Sequence, residues 1–387
     1  MRHGRYAVAA AAVVLLGACQ TLGDAYDWLF GGSRPAQKPA ELVAFKPTAQ
    51  PRVLWQANVG SAGKTVFFPA VSGNAVFTAG AAGRVAGFRT NNGAPVAAFS
   101  AGEPLQGGVE ANGTVILAST PKGDVVAYDH GGKLLWRAAV GGEVLAPCVI
   151  AEGLVIARTV DGRIFGLDAK DGKRRWVYQR STPALSVRTY SGVAVERGAV
   201  FAGFPGGRLV ALNLANGGVG WESVVALPKG TTELERVADV IGLPVIDGRQ
   251  VCAVAFQGRV ACFDAQTGTT NWARDLSSYS GMSADTRNLY VTDDRNAVLA
   301  LDKSSGASLW KQDKLFGRGV SAPAVLGRFV VVGDFQGYLH FLSREDGSFA
   351  ARIATDGSAI VAPPVRVDLG TLIVQTRNGG VYAVALQ

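Results

Sequence analysis

The sequence predicts an all-β fold: an eight-bladed β-propeller of four-stranded antiparallel blades, closed by its N-terminal strand. Three observations carry the prediction. A large ring returns at Trp55, Phe99, Trp136, Trp176, Trp221, Trp272, Trp310 and Phe349, at intervals of 37 to 51 residues. A period near 40 with strand-like sequence between the marks is the signature of propeller blades. Within each interval short apolar runs alternate with glycine-bearing turns, and the 50 glycines in 387 residues follow no collagen-like period. Lastly, the final segment has strands near Ala362 to Val365, Leu372 to Gln375 and Val381 to Val384, then stops at Gln387 without an aromatic strand of its own. Val53-Leu54-Trp55, meanwhile, stands before the first full repeat with no partners. Joining the two completes the eighth blade and covers edges that an open sheet would expose.

Residues 1–18 have the layout of a secretory signal peptide. Arg2 and Arg5 precede an apolar run from Ala7 to Leu16, and the small residues Gly17 and Ala18 follow. The run is too short to span a bilayer comfortably. Leu16-Gly17-Ala18-Cys19 resembles the bacterial lipobox, whose cysteine is lipidated and becomes the first mature residue. Gln20 follows instead of aspartate, the pattern that goes with outer-membrane sorting. Acyl chains contribute about 0.8 kcal/mol per buried CH₂, so an acylated Cys19 would hold the chain to the membrane at its periplasmic face. Residues 19–50 contain Gly31-Gly32-Ser33, three prolines and no clean period, and read as a tether. Tyr26, Trp28, Leu29 and Phe30 within it either pack locally or lie near the membrane surface. The propeller is expected over residues 51–387.

Apolar residues make up 48% of the chain and charged residues 18%, ample for one large core. Net charge is +8, and +6 once the first 18 residues are removed (36 basic against 30 acidic). The basic residues are scattered, the longest run being Lys173-Arg174-Arg175, whereas a nucleic-acid groove clusters them with aromatics. The charge supports a modest preference for acidic partners or anionic lipid and excludes little else.

One repeat shows how a blade is written. Pro147 to Ile150 is a strand, Glu152-Gly153 a turn, and Leu154 to Thr159 the next strand. Asp161-Gly162 predicts a type I′ hairpin. Arg163 to Leu167 is the third strand, Asp168 to Gly172 a loop, and Arg175 to Tyr178 the outer strand. Asp129, Asp168, Asp264 and Asp302 recur at strand ends. That recurrence spreads them around a ring, each where an aspartate caps a turn by binding nearby backbone N–H groups, so no catalytic centre follows from them.

Other chemical motifs are incomplete. Gly60 to Thr65 ends like a phosphate-binding loop, but Asn58 stands where the first glycine is required and Val66 to Pro69 is strand-like, not helical. His130 and His340 are isolated and supply no three-ligand metal site. Cys148 reads as a small buried apolar residue. Cys252 and Cys262 flank the turn at Gln257-Gly258 and either face each other as a disulfide or, after a one-residue slip, lie on opposite faces.

Units such as Gly162 to Asp168 followed by Gly172 and Trp176 resemble the repeats of pyrroloquinoline-quinone (PQQ) dehydrogenases, an oxidoreductase alternative that implies a PQQ cofactor. Those enzymes carry a calcium-binding carboxylate cluster and often vicinal cysteines, and this chain has no adjacent cysteines. The whole chain is similar to the BamB family, propeller lipoproteins of the β-barrel assembly machinery. Leu185-Ser186-Val187-Arg188, Thr232 to Val240 and Val332 to His340 carry that resemblance. It implies a non-enzymatic scaffold without cofactor or metal that binds the periplasmic POTRA domains of BamA alongside other Bam subunits. It also implies a scaffold that meets strands of nascent outer-membrane proteins. Carried over position by position, Leu185, Val187, Arg188 and Asp239 form the BamA contact, with Val187 replacing a leucine. Ile241 stands where a second aspartate is expected. The longest ring interval, Trp221 to Trp272, independently predicts a loop projecting near Glu222 to Arg236, where partners bind on a rigid scaffold. Arg188 reads either as a solvated turn residue or as a bidentate anchor for a partner carboxylate. Leu185 reads either as blade packing or as a contact.

Overall fold

The computed structural model describes residues 38–386. The signal segment, Cys19 and Tyr26 to Phe30 lie outside the described residues. Thirty-two strands, numbered in chain order, form eight four-stranded antiparallel sheets, and the described residues contain no helix. Seven sheets use four consecutive strands. The eighth has the order β1-β32-β31-β30, where β1 is Pro51–Asn58, β30 Val365–Arg366, β31 Thr371–Gln375 and β32 Gly380–Leu386. Its register pairs Pro51 with Leu386 and Asn58 with Gly380. The N-terminal strand therefore completes the last blade, as the unpaired Trp55 segment predicts.

The burial pattern follows from this layout. In the third blade β11 (Leu154–Arg158) and β12 (Arg163–Asp168) are sandwiched between neighbouring sheets and are buried through their centres. The outer strand β13 (Arg174–Gln179) alternates, with Trp176 inside and Arg175 and Val177 outside. Blade meets blade through apolar layers such as Val125, Ala127, Trp136, Val155 and Phe165.

The recurring ring has a specific task. The Trp136 indole lies over Gly172 of the next blade, where a Cβ would come within 2.5 Å of the ring, and its Nε1–H donates to the carbonyl of Ala169 at 3.0 Å. Trp176 repeats this with Gly217 and Leu214, Trp221 with Gly268 and Ala265, and Trp272 with Gly306 and Lys303. Trp310 sits on Gly347 and Arg344, Trp55 on Gly93 and Thr90, and Phe99 covers Gly132 without a donor. The turn glycines are needed twice: at φ near +71°, as at Gly172 and Gly217, and because any side chain would collide with the ring.

Phe349 is the exception, because the blade it faces has no turn between β32 and β1. Phe45 fills the gap, stacking on Phe349 with centroids 5.4 Å apart, and Arg352 lies over both rings. The Thr48 and Ala49 amides donate to the carbonyl of Ala350. The chain is thus engaged with the propeller ahead of Pro51, and Glu41–Gln387 forms one compact unit.

The Asp161-Gly162 turn differs from the expected type I′. Only Gly162 has positive φ (+84°), and the Gly162 amide donates to Thr159 while Thr159 pairs with Arg163. This is a three-residue type I loop with a glycine bulge; a type I′ turn needs positive φ at both central residues. Glu152-Gly153, at +47° and +79°, does meet that condition. Cys252 and Cys262 lie directly opposite on adjacent strands and form a disulfide. The four recurrent aspartates cap their turns: Asp264 Oδ1, for example, accepts from the Gln266 and Thr267 amides.

One partly buried carboxyl supplies a pH test. Glu110, on β6 (Gln106–Ala111), has its pKa pushed up to about 7 by burial. The folded chain therefore keeps a proton that the unfolded chain releases near pH 4.3. The resulting stabilisation is full below that pH and is lost as pH rises through about 7. Glu110→Gln is expected to raise the thermal midpoint relative to wild type at pH 8 but not at pH 5. Equal differences at both pH values would contradict this assignment.

Candidate functional site

Loops from the third, fourth and fifth blades converge at one end of the ring. Between β13 and β14 (Val193–Glu196), the segment Leu185-Ser186-Val187-Arg188 crosses this face. It has no strand partner to hold it, and a buried carboxylate does so instead. Asp239, just before β18 (Val240–Asp247), accepts from the Val187 amide at 2.6 Å and from the Gly206 amide at 3.2 Å. Burial raises its pKa, against the opposing pull of those two amides and of Arg158. Arg158 is itself buried, stacks on Phe204 and donates to the Gly192 carbonyl at 3.1 Å; burial lowers its pKa to about 10. The two opposite charges thus sit beneath the segment and compensate each other.

Above them Arg188 is exposed and meets Glu143 in a bidentate pair, with Nη2 at 2.9 Å from each carboxylate oxygen. A cleft of about 240 Å³ opens between Glu143, Arg158, Val187, Arg188, Pro205 and Asp239. Leu185 is 45% exposed, and Val160 in the cleft wall 42%. Leu185 is therefore not blade packing. Val187 is half-buried and Asp239 only 3% exposed, so these two hold the segment from beneath while Leu185 and Arg188 stay at the surface. Ile241 is buried with Cys252, Val254 and Met282 between blades, so it offers nothing to the surface.

The long interval after Trp221 does leave the blade, running from Ala226 to Asp239 between β17 (Val219–Val224) and β18. A detail the motif reading passed over explains its shape. Thr232 and Glu235 form a capping box: the Thr232 hydroxyl accepts from the Glu235 amide at 3.2 Å, and the Glu235 carboxylate accepts from the Thr232 and Thr231 amides at 3.0 and 2.9 Å. Those amides hold the Glu235 carboxyl down to about 2. Leu234 is projected between them, 72% exposed, and Leu227 is 60% exposed. The signal was legible as the Thr-x-x-Glu spacing of Thr232 and Glu235.

The apparent phosphate-loop sequence is a blade connection. Its amides are already taken, Val59 by the Gly379 carbonyl and Ala62 by that of Arg377. His340 is buried with its Nε2 3.0 Å from Asp334, and His130 binds the Asn112 carbonyl. Among the described residues no group of three or more histidine, cysteine, aspartate or glutamate side chains is arranged to hold a metal ion.

Comparison with known proteins agrees with this layout. A family model described as outer membrane protein assembly factor BamB matches residues 40–312. The outer membrane protein assembly factor BamB of Burkholderia pseudomallei is 41% identical over 382 residues, covering 98% of this chain and 97% of its own. The crystal structure of BamB from Moraxella catarrhalis superposes with a TM-score of 0.79 at 26% identity, covering 87% of this chain and all of that one. A quinohemoprotein alcohol dehydrogenase from Comamonas testosteroni aligns with a TM-score of 0.69 over 87% of this chain and 76% of its own. At 14% identity it shares the fold alone.

Proposed function

The chain belongs to the BamB family of outer membrane protein assembly factors, and from that premise we propose that it is a lipid-anchored scaffold that docks on the POTRA domains of BamA. Its part in outer-membrane protein assembly is non-catalytic. It offers a rigid surface at the outer membrane, and the anchor is acylated Cys19 at the periplasmic face. Other Bam subunits assemble around the same contact, and nascent barrel strands meet the exposed outer strands of the blades.

The observation that carries the docking site is the support under residues 185–188. An exposed arginine and leucine stand on a segment that a buried aspartate fixes from below, and Leu234 is exposed on a self-capped loop that leads into that aspartate. Arginine and large apolar groups at the centre of a preorganised patch are what dominates binding energy. The Arg188–Glu143 pair leaves guanidinium donors free for a partner carbonyl or carboxylate, because five N–H groups exceed what one carboxylate accepts.

Affinity purification from detergent-solubilised membranes tests this reading. Arg188→Ala is expected to reduce recovery of BamA about tenfold or more. The thermal midpoint should barely move, since an exposed ion pair contributes no more than about 1 kcal/mol. Cys19→Ala should move the protein to the soluble periplasmic fraction while isolated POTRA domains still bind it. Recovery of BamA at the wild-type level with Arg188→Ala would rule this contact out.

A further inference from the structure

A second cavity, of about 590 Å³, opens at the same end of the ring but on its axis. Six of the eight blades contribute to its wall. Phe68 comes from the lead into the first blade and Tyr190 from the fourth; Leu243 belongs to the fifth, Tyr279 and Met282 to the sixth, Phe335 to the seventh and Arg377 to the eighth. Its size is that of a ligand site, and its lining is apolar with few polar groups, as such sites are.

Two features give the cavity a chemical preference. Four aromatic rings surround it, and two of them, Phe68 and Tyr190, meet edge to face with centroids 6.4 Å apart although their blades are three apart around the ring. Arg377 is the one charged side chain among the described lining residues. It sits in the turn between β31 and β32, where its backbone amide and carbonyl are engaged by Ala359 and Ala62 while its guanidinium pairs with no carboxylate among the described residues. An unmatched cation beside an aromatic, low-dielectric wall favours a ligand that brings one negative charge on an apolar body.

We propose that the axial cavity binds the carboxylate end of an apolar peptide. The terminal side chain packs against Met282, Val320 and the rings, and the terminal carboxylate pairs with Arg377. A chain end suits the mouth better than a free acid does, because the rim itself is apolar and open. Tyr279 is 52% exposed, Leu243 42% and Phe335 40%, and they give the preceding residues surface to cover. Small residues keep the wall low enough for a backbone to approach, as at Gly281, where an added Cβ would only just reach Ala322. The site shares no charged residue with the Arg188 cleft and stands whether or not that cleft binds BamA.

Fluorescence anisotropy on the Cys19→Ala chain, which lacks the acyl anchor, tests the proposal, using a labelled pentapeptide, Gly-Ser-Ala-Val-Leu, as the free acid and as its C-terminal amide. The acid is expected to bind about tenfold more tightly than the amide, the value of a charge-assisted pair. Arg377→Gln, at an exposed turn position, should bring the acid down to the amide. Tyr279→Ala should weaken both forms together. Equal binding of acid and amide, or an Arg377→Gln chain that still prefers the acid, overturns the carboxylate assignment. Displacement of the peptide by N-acetyl-leucine at equal concentration overturns the chain-end assignment in favour of a small-acid site.

Discussion

Trp176→Ala should destabilise the protein by about 3–5 kcal/mol, the usual cost of truncating a buried tryptophan. The indole is 8% exposed, packs on Gly217 and donates to the Leu214 carbonyl at 2.9 Å. Alanine would open a cavity at a seam between two blades and leave that carbonyl without its donor. Gly217 cannot be filled to compensate, since at φ +71° any side chain there is strained. The proper control is Leu309→Ala on another outer strand. That side chain is 52% exposed, and its loss should stay within about 0.5 kcal/mol. A denaturant midpoint shifted equally by the two substitutions would mean that the ring of indoles does not carry the blade seams.

Asp239→Ala is expected to abolish BamA capture as fully as Arg188→Ala, although Asp239 itself is only 3% exposed. Removing the carboxylate frees the Val187 and Gly206 amides and strips Arg158 of its compensating charge. Leaving a buried charge unpaired costs about 3–5 kcal/mol, so folding stability should fall by a similar amount. The two variants then separate by thermal melting: Arg188→Ala keeps its midpoint and Asp239→Ala does not. If Asp239→Ala melts early but captures BamA normally, the buried carboxylate is structural only and the segment above it needs no fixing.

What the sequence disclosed and what it hid divide along physical lines. The blade count was legible because a large aromatic ring, tryptophan on six outer strands and phenylalanine on two, holds a fixed place, and its spacing survives variation in every loop. The closing strand was legible for the same reason, since Trp55 stood without a blade. Local geometry was less so. An Asp-Gly pair suits a two-residue type I′ turn and a three-residue bulged loop alike, and only the pairing of Thr159 with Arg163 decides between them. The roles of individual site residues depended on partners distant in sequence. Arg188 meets Glu143 45 residues away, and Asp239 reaches back 52 residues to Val187. Nothing local to Asp239 marks it as a buried support, and the motif alone made it look like a contact. The disulfide lay between these cases: the spacing of Cys252 and Cys262 allowed it, and the strand register settled it.

Because Pro51 pairs with Leu386, the eighth sheet joins the first described strand to the last. Such distant pairing is slow to form. Synthesis has to pass Leu386, and β32 has to emerge, before β1 can find its place. Until then an early-made strand with an apolar face and two bare edges must wait in solution, which is the condition under which chains aggregate. Chaperone dependence during biogenesis should accordingly track the first strand, and a circular permutant that begins at a blade boundary should fold with less need of it.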